Sequence, residues 1–122
     1  MNENNLKSKS YAFALESISL YKQLNSKSEY VLSKQLMRSA TSVGANIREA
    51  NNAQSLSDFI HKLSISIKEC NESQYWLELL KDSNYIDKET FIPLYSKSQE
   101  IYRMLSSSII TSKSKLNNKS KV

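Results

Sequence analysis

Apolar residues recur along this chain mostly at steps of three and four, and no β pattern competes with that periodicity. One run is Leu32, Leu36, Ala40, Val43, Ile47 and Ala50, whose spacings of 4, 4, 3, 4 and 3 make a heptad-like seam. A second is Ile60, Leu63, Ile67, Cys70, Gln74 and Leu77. A third follows Phe91, Leu94, Tyr95, Ser98, Ile101, Tyr102, Leu105 and Ile109 on one helical face. With an earlier run from about Leu6 to Leu24, the pattern predicts four helices. The second is expected from a Ser28 N-cap to about Asn52, and the third from a Ser57 cap, with Asp58 in its first turn, to about Ser83. Asn84 is a candidate C-terminal residue, and Asp87 is the expected cap of the fourth helix. Pro93 either kinks that helix or delays its start. Connections this short make successive helices antiparallel neighbours. The expected fold class is therefore all-α, an antiparallel up-down-up-down four-helix bundle over residues 1–112.

Two helices carry more apolar surface than one core stripe requires. With 100° per residue from Leu63, Ile65, Trp76 and Leu79 fall at about 200°, 220° and 160°, away from the main stripe. In the first helix Tyr11, Leu15, Ile18 and Tyr21 make one face, and Leu6, Phe13, Leu20 and Leu24 another. Apolar faces of that kind are rarely left in water, and aromatic anchors such as Trp76 are enriched at interfaces. The expectation is a homo-oligomer built through the outer faces of helices one and three, with Phe13, Leu20, Ile65, Glu72, Trp76 and Leu79 as interface residues.

Composition sharpens the fold. One glycine and one proline in 122 residues leave little turn chemistry for a sandwich, a barrel or an α/β fold. The single cysteine excludes an intrachain disulfide, no apolar run reaches a membrane span, and Met1 to Ser10 lacks a signal peptide's apolar segment. These features lead us to expect a cytoplasmic protein with no membrane partner. The net charge of +5 is unevenly spread. Residues 113–122 hold Lys113, Lys115, Lys119 and Lys121 and no acid, while the other 112 residues carry 13 basic and 12 acidic groups. That Ser/Asn/Lys stretch is predicted to be a disordered basic tail, suited to RNA, DNA or an acidic partner, or to solubility alone.

Little in the chain reads as chemistry. His61 is the only histidine, with Ser57, Asp58, Ser64 and Ile65 as its helical neighbours, so it has no convergent ligands. Cys70 has no histidine within helical reach and falls on the core stripe. Glu69 and Glu72 lack the histidine of a di-iron bundle, and Gly44 alone cannot make a phosphate loop. Neither an active site nor a cofactor is expected. The segment Arg38-Ser-Ala-Thr-Ser-Val-Gly-Ala-Asn-Ile-Arg-Glu-Ala50 is rich in small residues. Arg38 and Ser42 share a face, as do Asn46 and Glu49. Together with Gly44 they are expected to serve helix packing and subunit register, with another helix crossing closely at Gly44 and Ala45.

That segment resembles the signature of the 23S ribosomal RNA intervening-sequence family, also called the S23 four-helix-bundle family. Ile67-Lys-Glu-Cys-Asn-Glu-Ser-Gln-Tyr-Trp-Leu-Glu-Leu-Leu80 is similar to its third-helix motif, and the order and spacing of the two blocks fit over roughly residues 7 to 112. The resemblance implies a left-handed antiparallel bundle assembled as a ring-like homopentamer. It also implies that some relatives are encoded within insertions of large-subunit ribosomal RNA genes. A related branch, the accessory protein of diversity-generating retroelements, is a basic barrel that binds nucleic acid and a reverse transcriptase. Here Arg48 follows Asn46-Ile47, where an acid or small residue is usual, and the body of the chain is near neutral.

Two functions are expected to compete. One is an RNA- or DNA-associated binding module working through the lysines. The other is a structural or scaffold oligomer that binds a protein partner, the lysines serving only solubility.

Overall fold

A computed structural model describes residues 3–120 as four helices: α1 Glu3–Ser26, α2 Leu32–Asn51, α3 Leu56–Asp82 and α4 Lys88–Ser120. Each packs against its chain neighbours and α4 closes onto α1, while the diagonal pairs lie further apart among the described residues. The helices therefore follow one another in the order α1, α2, α3, α4 around the bundle, as the all-α, up-down-up-down expectation required.

Residues other than glycine shape the turns. At the end of α1, Ser28 adopts φ 69°. Its amide donates to the Asn25 carbonyl at 3.0 Å, and the Glu29 amide donates to the Leu24 carbonyl at 2.9 Å, a Schellman closure. Ser28 therefore ends α1 and does not cap α2. Glu29 takes the capping role: its carboxylate accepts from the amides of Val31, Leu32 and Ser33 at 3.0, 2.9 and 2.7 Å. Asn84 repeats the closure after α3, at φ 68°, with the Tyr85 amide donating to the Leu80 carbonyl at 2.9 Å.

The cap of α3 is Ser55, two residues before the expected Ser57; its side chain accepts from the Asp58 amide at 3.0 Å. Ser55-x-x-Asp58 has capping-box spacing, which outweighs Ser57 as a start. Asp87 caps α4 as expected, accepting from the Thr90 amide at 2.9 Å. Pro93 lies exposed in the second turn of α4 without ending the helix.

The core stripes follow heptad spacing with serine in apolar places. On α1 the buried positions are Leu6, Ser10, Phe13, Ser17, Leu20 and Leu24; on α3 they include Leu63, Ser66, Cys70, Ser73, Leu77 and Leu80. Both repeat at alternating steps of three and four. Small serines let helices approach closely. Ser39 and Ser73 hydroxyls lie 2.8 Å apart across α2 and α3, and Ser66 donates to the Val43 carbonyl at 2.8 Å.

Two expectations are corrected by this arrangement. Phe13 and Leu20 are core residues, 0% and 5% exposed, and cannot form an outer face. The face of α1 left in solvent is the other one, where Tyr11 and Leu15 are 55% and 51% exposed. The residues expected to form a disordered tail are instead a continuation of α4 as far as Ser120. No glycine or proline follows Pro93 to stop the helix, and Lys119 in its last turn favours the helix dipole. Lys121 lies outside the described residues.

Candidate assembly faces and basic end

The α2–α3 flank gathers both sequence blocks. From α2 come Arg38, Ser42, Asn46 and Glu49; from α3 come Ile65, Glu69, Glu72 and Trp76. The true α3 stripe is rotated by about 50° from the expected one, because Ser66, Ser73 and Leu80 belong to the core where Ile67 and Gln74 were expected. This rotation moves Trp76 from the far side of the helix onto the flank, half-buried against the core. Ile65 and Leu79 are half-buried as well, and Glu72 is exposed.

Polar contacts hold this flank. Glu49 pairs with Lys62 at 3.1 Å across the two helices. Asn46 donates from Nδ2 to the Ser42 carbonyl, and Ser42 donates to the Arg38 carbonyl, both at 2.8 Å. Trp76 Nε1 donates to Glu72 Oε1 at 3.2 Å, and Tyr75 packs edge-on to the indole at 5.0 Å between centroids. The Glu69 carboxyl is raised above its ordinary value by burial and by the neighbouring charge and hydrogen bond of Glu72; Arg38 across the groove opposes this. Two acids one turn apart thus crowd a half-buried surface.

The α1–α2 flank differs in kind. Lys7, Tyr11, Leu15 and Ile18 from α1, with Ala45 and Arg48 from α2, line an apolar groove with no acid among its described lining residues. The Arg48 guanidinium stands 5.6 Å from the Tyr11 ring centroid, within cation–π range. The close crossing expected at Gly44 is present: a Cβ there would lie 3.5 Å from Ser10 Oγ, an ordinary contact. Ala45, by contrast, is exposed.

The third feature is the lower end of the bundle. The Lys9–Glu100 pair at 3.3 Å sets the register of α1 against α4, so α4 passes the start of α1 before it ends. Ser112 is the last buried residue of α4. Residues 113–120 then reach about 12 Å further, at 1.5 Å per residue. Lys113, Lys115 and Lys119 are exposed along them. The described residues that form this end, 3–10, 45–62 and 104–120, hold seven basic and three acidic groups. The other described residues hold nine of each, so the excess of positive charge among the described residues belongs to one end.

His61 is exposed, and no group of three or more His, Cys, Asp or Glu among the described residues is arranged to hold a metal ion. Cys70 is buried and donates to the Ser98 carbonyl at 3.2 Å; burial pushes its thiol up to about 12. No helix among the described residues is long and apolar enough to cross a membrane. Sequence reasoning misses the basic groove of α1 and α2 because it takes Phe13 and Leu20 for the outer face in place of Tyr11 and Leu15. The heptad repeat of Ser10 and Ser17 is the signal that would find it.

Comparison with known proteins agrees with this architecture. A crystal structure of a protein of unknown function from the S23 ribosomal protein family of Bacteroides thetaiotaomicron VPI-5482 is 51% identical. The match covers 89% of this chain and 98% of that one, with a TM-score of 0.87. No curated protein matches. The family model for 23S rRNA-intervening sequence protein matches residues 2–107, leaving Lys113, Lys115 and Lys119 of α4 beyond its end. The chain belongs to the 23S rRNA-intervening sequence protein family, or S23 family.

Proposed function

We propose that this chain is a non-enzymatic, self-associating bundle of the cytoplasm that binds RNA through its basic end. The observation that carries the reading is the excess of positive charge at one end, where Lys113, Lys115 and Lys119 lie on a helix that projects beyond its neighbours. Lysines on a helical stretch without aromatic residues, as over residues 113–120, suit phosphate contacts, whose strength depends on counterion release and not on base identity. The assembly proposed is the homopentameric ring that the family resemblance implies. Five copies would bring together fifteen lysines, Lys113, Lys115 and Lys119 from each, so weak contacts would add by effective concentration.

The test is a mobility shift with structured RNA over a salt series, with Lys113, Lys115 and Lys119 changed together to Gln. The expected result is weaker binding and a log-log salt slope shallower by roughly two, at about 0.7–0.9 for each phosphate no longer neutralised. Equal affinity for the variant would refute the role of these lysines, and no binding by the wild type would refute the RNA reading.

A protein partner is the second reading. Tyr30, Val31 and Tyr85 are 59%, 70% and 48% exposed in the turns at the end opposite the lysines. Recovery of one stoichiometric protein free of nucleic acid would favour it.

A further inference from the structure

We infer that the α1–α2 groove is a site for an unpaired nucleotide of RNA, with the base stacked on Tyr11 over the apolar floor and the phosphate between Arg48 and Lys7. The inference rests on the proposed RNA binding and deepens it. The lysines of α4 supply phosphate contacts at the end of the bundle, and the groove adds a place for a base.

The lining sets this groove apart. Its volume of about 380 Å³ lies within the roughly 300–1,000 Å³ usual for small-ligand sites. Other grooves of similar size each carry a carboxylate: Asp87 at the turns, Glu100 beside Lys9 and Lys97, and Glu16 with Glu89 between α1 and α4. Their lysines have acids to pair with, as Lys9 has Glu100 and Lys97 has Glu16. The α1–α2 groove holds two cations and no acid among its described lining residues. Lys7 and Arg48 are exposed, and neither enters an ion pair among the described residues. Such a groove favours an anion.

The floor selects which anion. Ala14, Gly44 and Ala45 are small, and Leu15 and Ile18 extend the apolar surface beyond Tyr11. Tyr11 is 55% exposed, so much of its ring is open to a ligand. Free phosphate would leave this surface unused, and a duplex keeps its bases stacked on one another. An unpaired nucleotide joins a flat aromatic base to a phosphate, which matches a ring and an apolar floor beside two cations. Lys7 and Tyr11 are four residues apart on α1 and therefore neighbours on one face. Across the groove the Arg48 guanidinium stands 5.6 Å from the Tyr11 ring centroid, so cation and ring lie within the reach of one nucleotide. Every base has a π-face, so stacking there tolerates any sequence. Lys7 near the start of α1 and Arg48 near the end of α2 belong to the same end of the bundle as the lysines of α4, so one strand can meet both.

The test uses the full chain and two RNA probes of about ten nucleotides, one single-stranded and one a blunt duplex, read by fluorescence anisotropy at about 0.1 M salt. Tyr11→Ala removes the ring and no charge, and Tyr75→Ala, equally exposed on α3, is the control. The wild type is expected to bind the single strand more tightly than the duplex. Tyr11→Ala is expected to bind the single strand about five- to 150-fold more weakly, the range for losing one base–aromatic stack, and the duplex unchanged. Tyr75→Ala should match the wild type on both probes. Arg48→Gln should weaken single-strand binding and lower its log-log salt slope by about 0.7.

A wild type that binds neither probe would overturn the RNA binding itself and this site with it. A wild type that binds, with Tyr11→Ala unchanged or weakened equally on both probes, would overturn the site alone and leave the α4 lysines their role. A change of native mass in Tyr11→Ala by light scattering would assign the ring to a contact between copies and overturn the site. If Tyr11→Ala loses helicity by circular dichroism, Tyr11→Gln replaces it and is read by the same criteria.

Discussion

Removing the Glu29 side chain should cost more than an ordinary surface substitution. Glu29 is only 6% exposed, and it accepts hydrogen bonds from three consecutive amides at the start of α2. Ala in its place leaves those donors without an acceptor where water reaches poorly. Cap substitutions cost about 0.5–2 kcal/mol, and bonds to charged groups lie at the upper end of the hydrogen-bond range, so about 2 kcal/mol is expected. For a chain of 122 residues that lowers Tm by roughly 6–10 °C.

The effect should also depend on pH. Burial alone would raise the Glu29 carboxyl, but the amides of Leu32 and Ser33, with Val31, hold it below its ordinary 4.5. A carboxyl lowered in the fold contributes stability above its unfolded value and loses that contribution as pH falls through its folded value. Thermal melts followed by circular dichroism, at one fixed concentration because self-association shifts apparent stability, should show the full difference at pH 7. The gap should narrow as pH falls from about 5 towards 2. A gap below about 0.5 kcal/mol at pH 7, or one that widens in acid, would refute the capping account.

Three further outcomes are expected. Ser17→Ala should stabilise the chain by about 1 kcal/mol in a denaturant titration, because Ser17 Oγ is buried with no hydrogen-bond partner; a loss of stability would reveal one. Gly44→Ala should leave stability unchanged or raise it by up to about 1 kcal/mol, since the new methyl meets Ser10 at ordinary contact distance and helix propensity improves; a loss above about 1 kcal/mol would mean that α1 cannot accommodate it. Cys70 should react with a thiol reagent at pH 8 about a thousandfold more slowly in the native protein than in denaturant. A thiol at about 12 in place of 9.0 holds that much less thiolate, and modification of the native protein within seconds would contradict its burial.

Most of the helical architecture is legible in the pattern of large side chains, and the errors in assigning helix faces share one cause. Leu36, Val43 and Ile47 mark α2 because its neighbouring core positions are also apolar. On α1 and α3 the alternate core positions are serine, so a search for apolar residues slides to Ile67 and Gln74 on α3 and treats the Phe13 face of α1 as surplus. A buried serine costs little when its hydroxyl reaches a carbonyl one turn back, as Ser10 does at Lys7 and Ser73 at Glu69. Hydropathy does not register that compensation, but heptad spacing does. Residues 38–50 are readable as a packing segment. Their grouping with Trp76 is not, because it depends on the rotation of α3. The turn at Ser28 escapes a reading of the sequence because a left-handed serine leaves no glycine to mark it.

The projecting end of α4 has a thermodynamic consequence. Its last two turns lie beyond Ser112, the last buried residue described, and are largely exposed, so their amides should open and exchange first while the body of the bundle stays protected. A polyanion laid along Lys113, Lys115 and Lys119 would need those turns closed to keep its contacts. Part of the binding free energy would then go into ordering the helix, and affinity would fall with anything that frays it. A helix-breaking residue at Ser114 would weaken binding without removing a single charge. Gains in helicity there would tighten it in the same way.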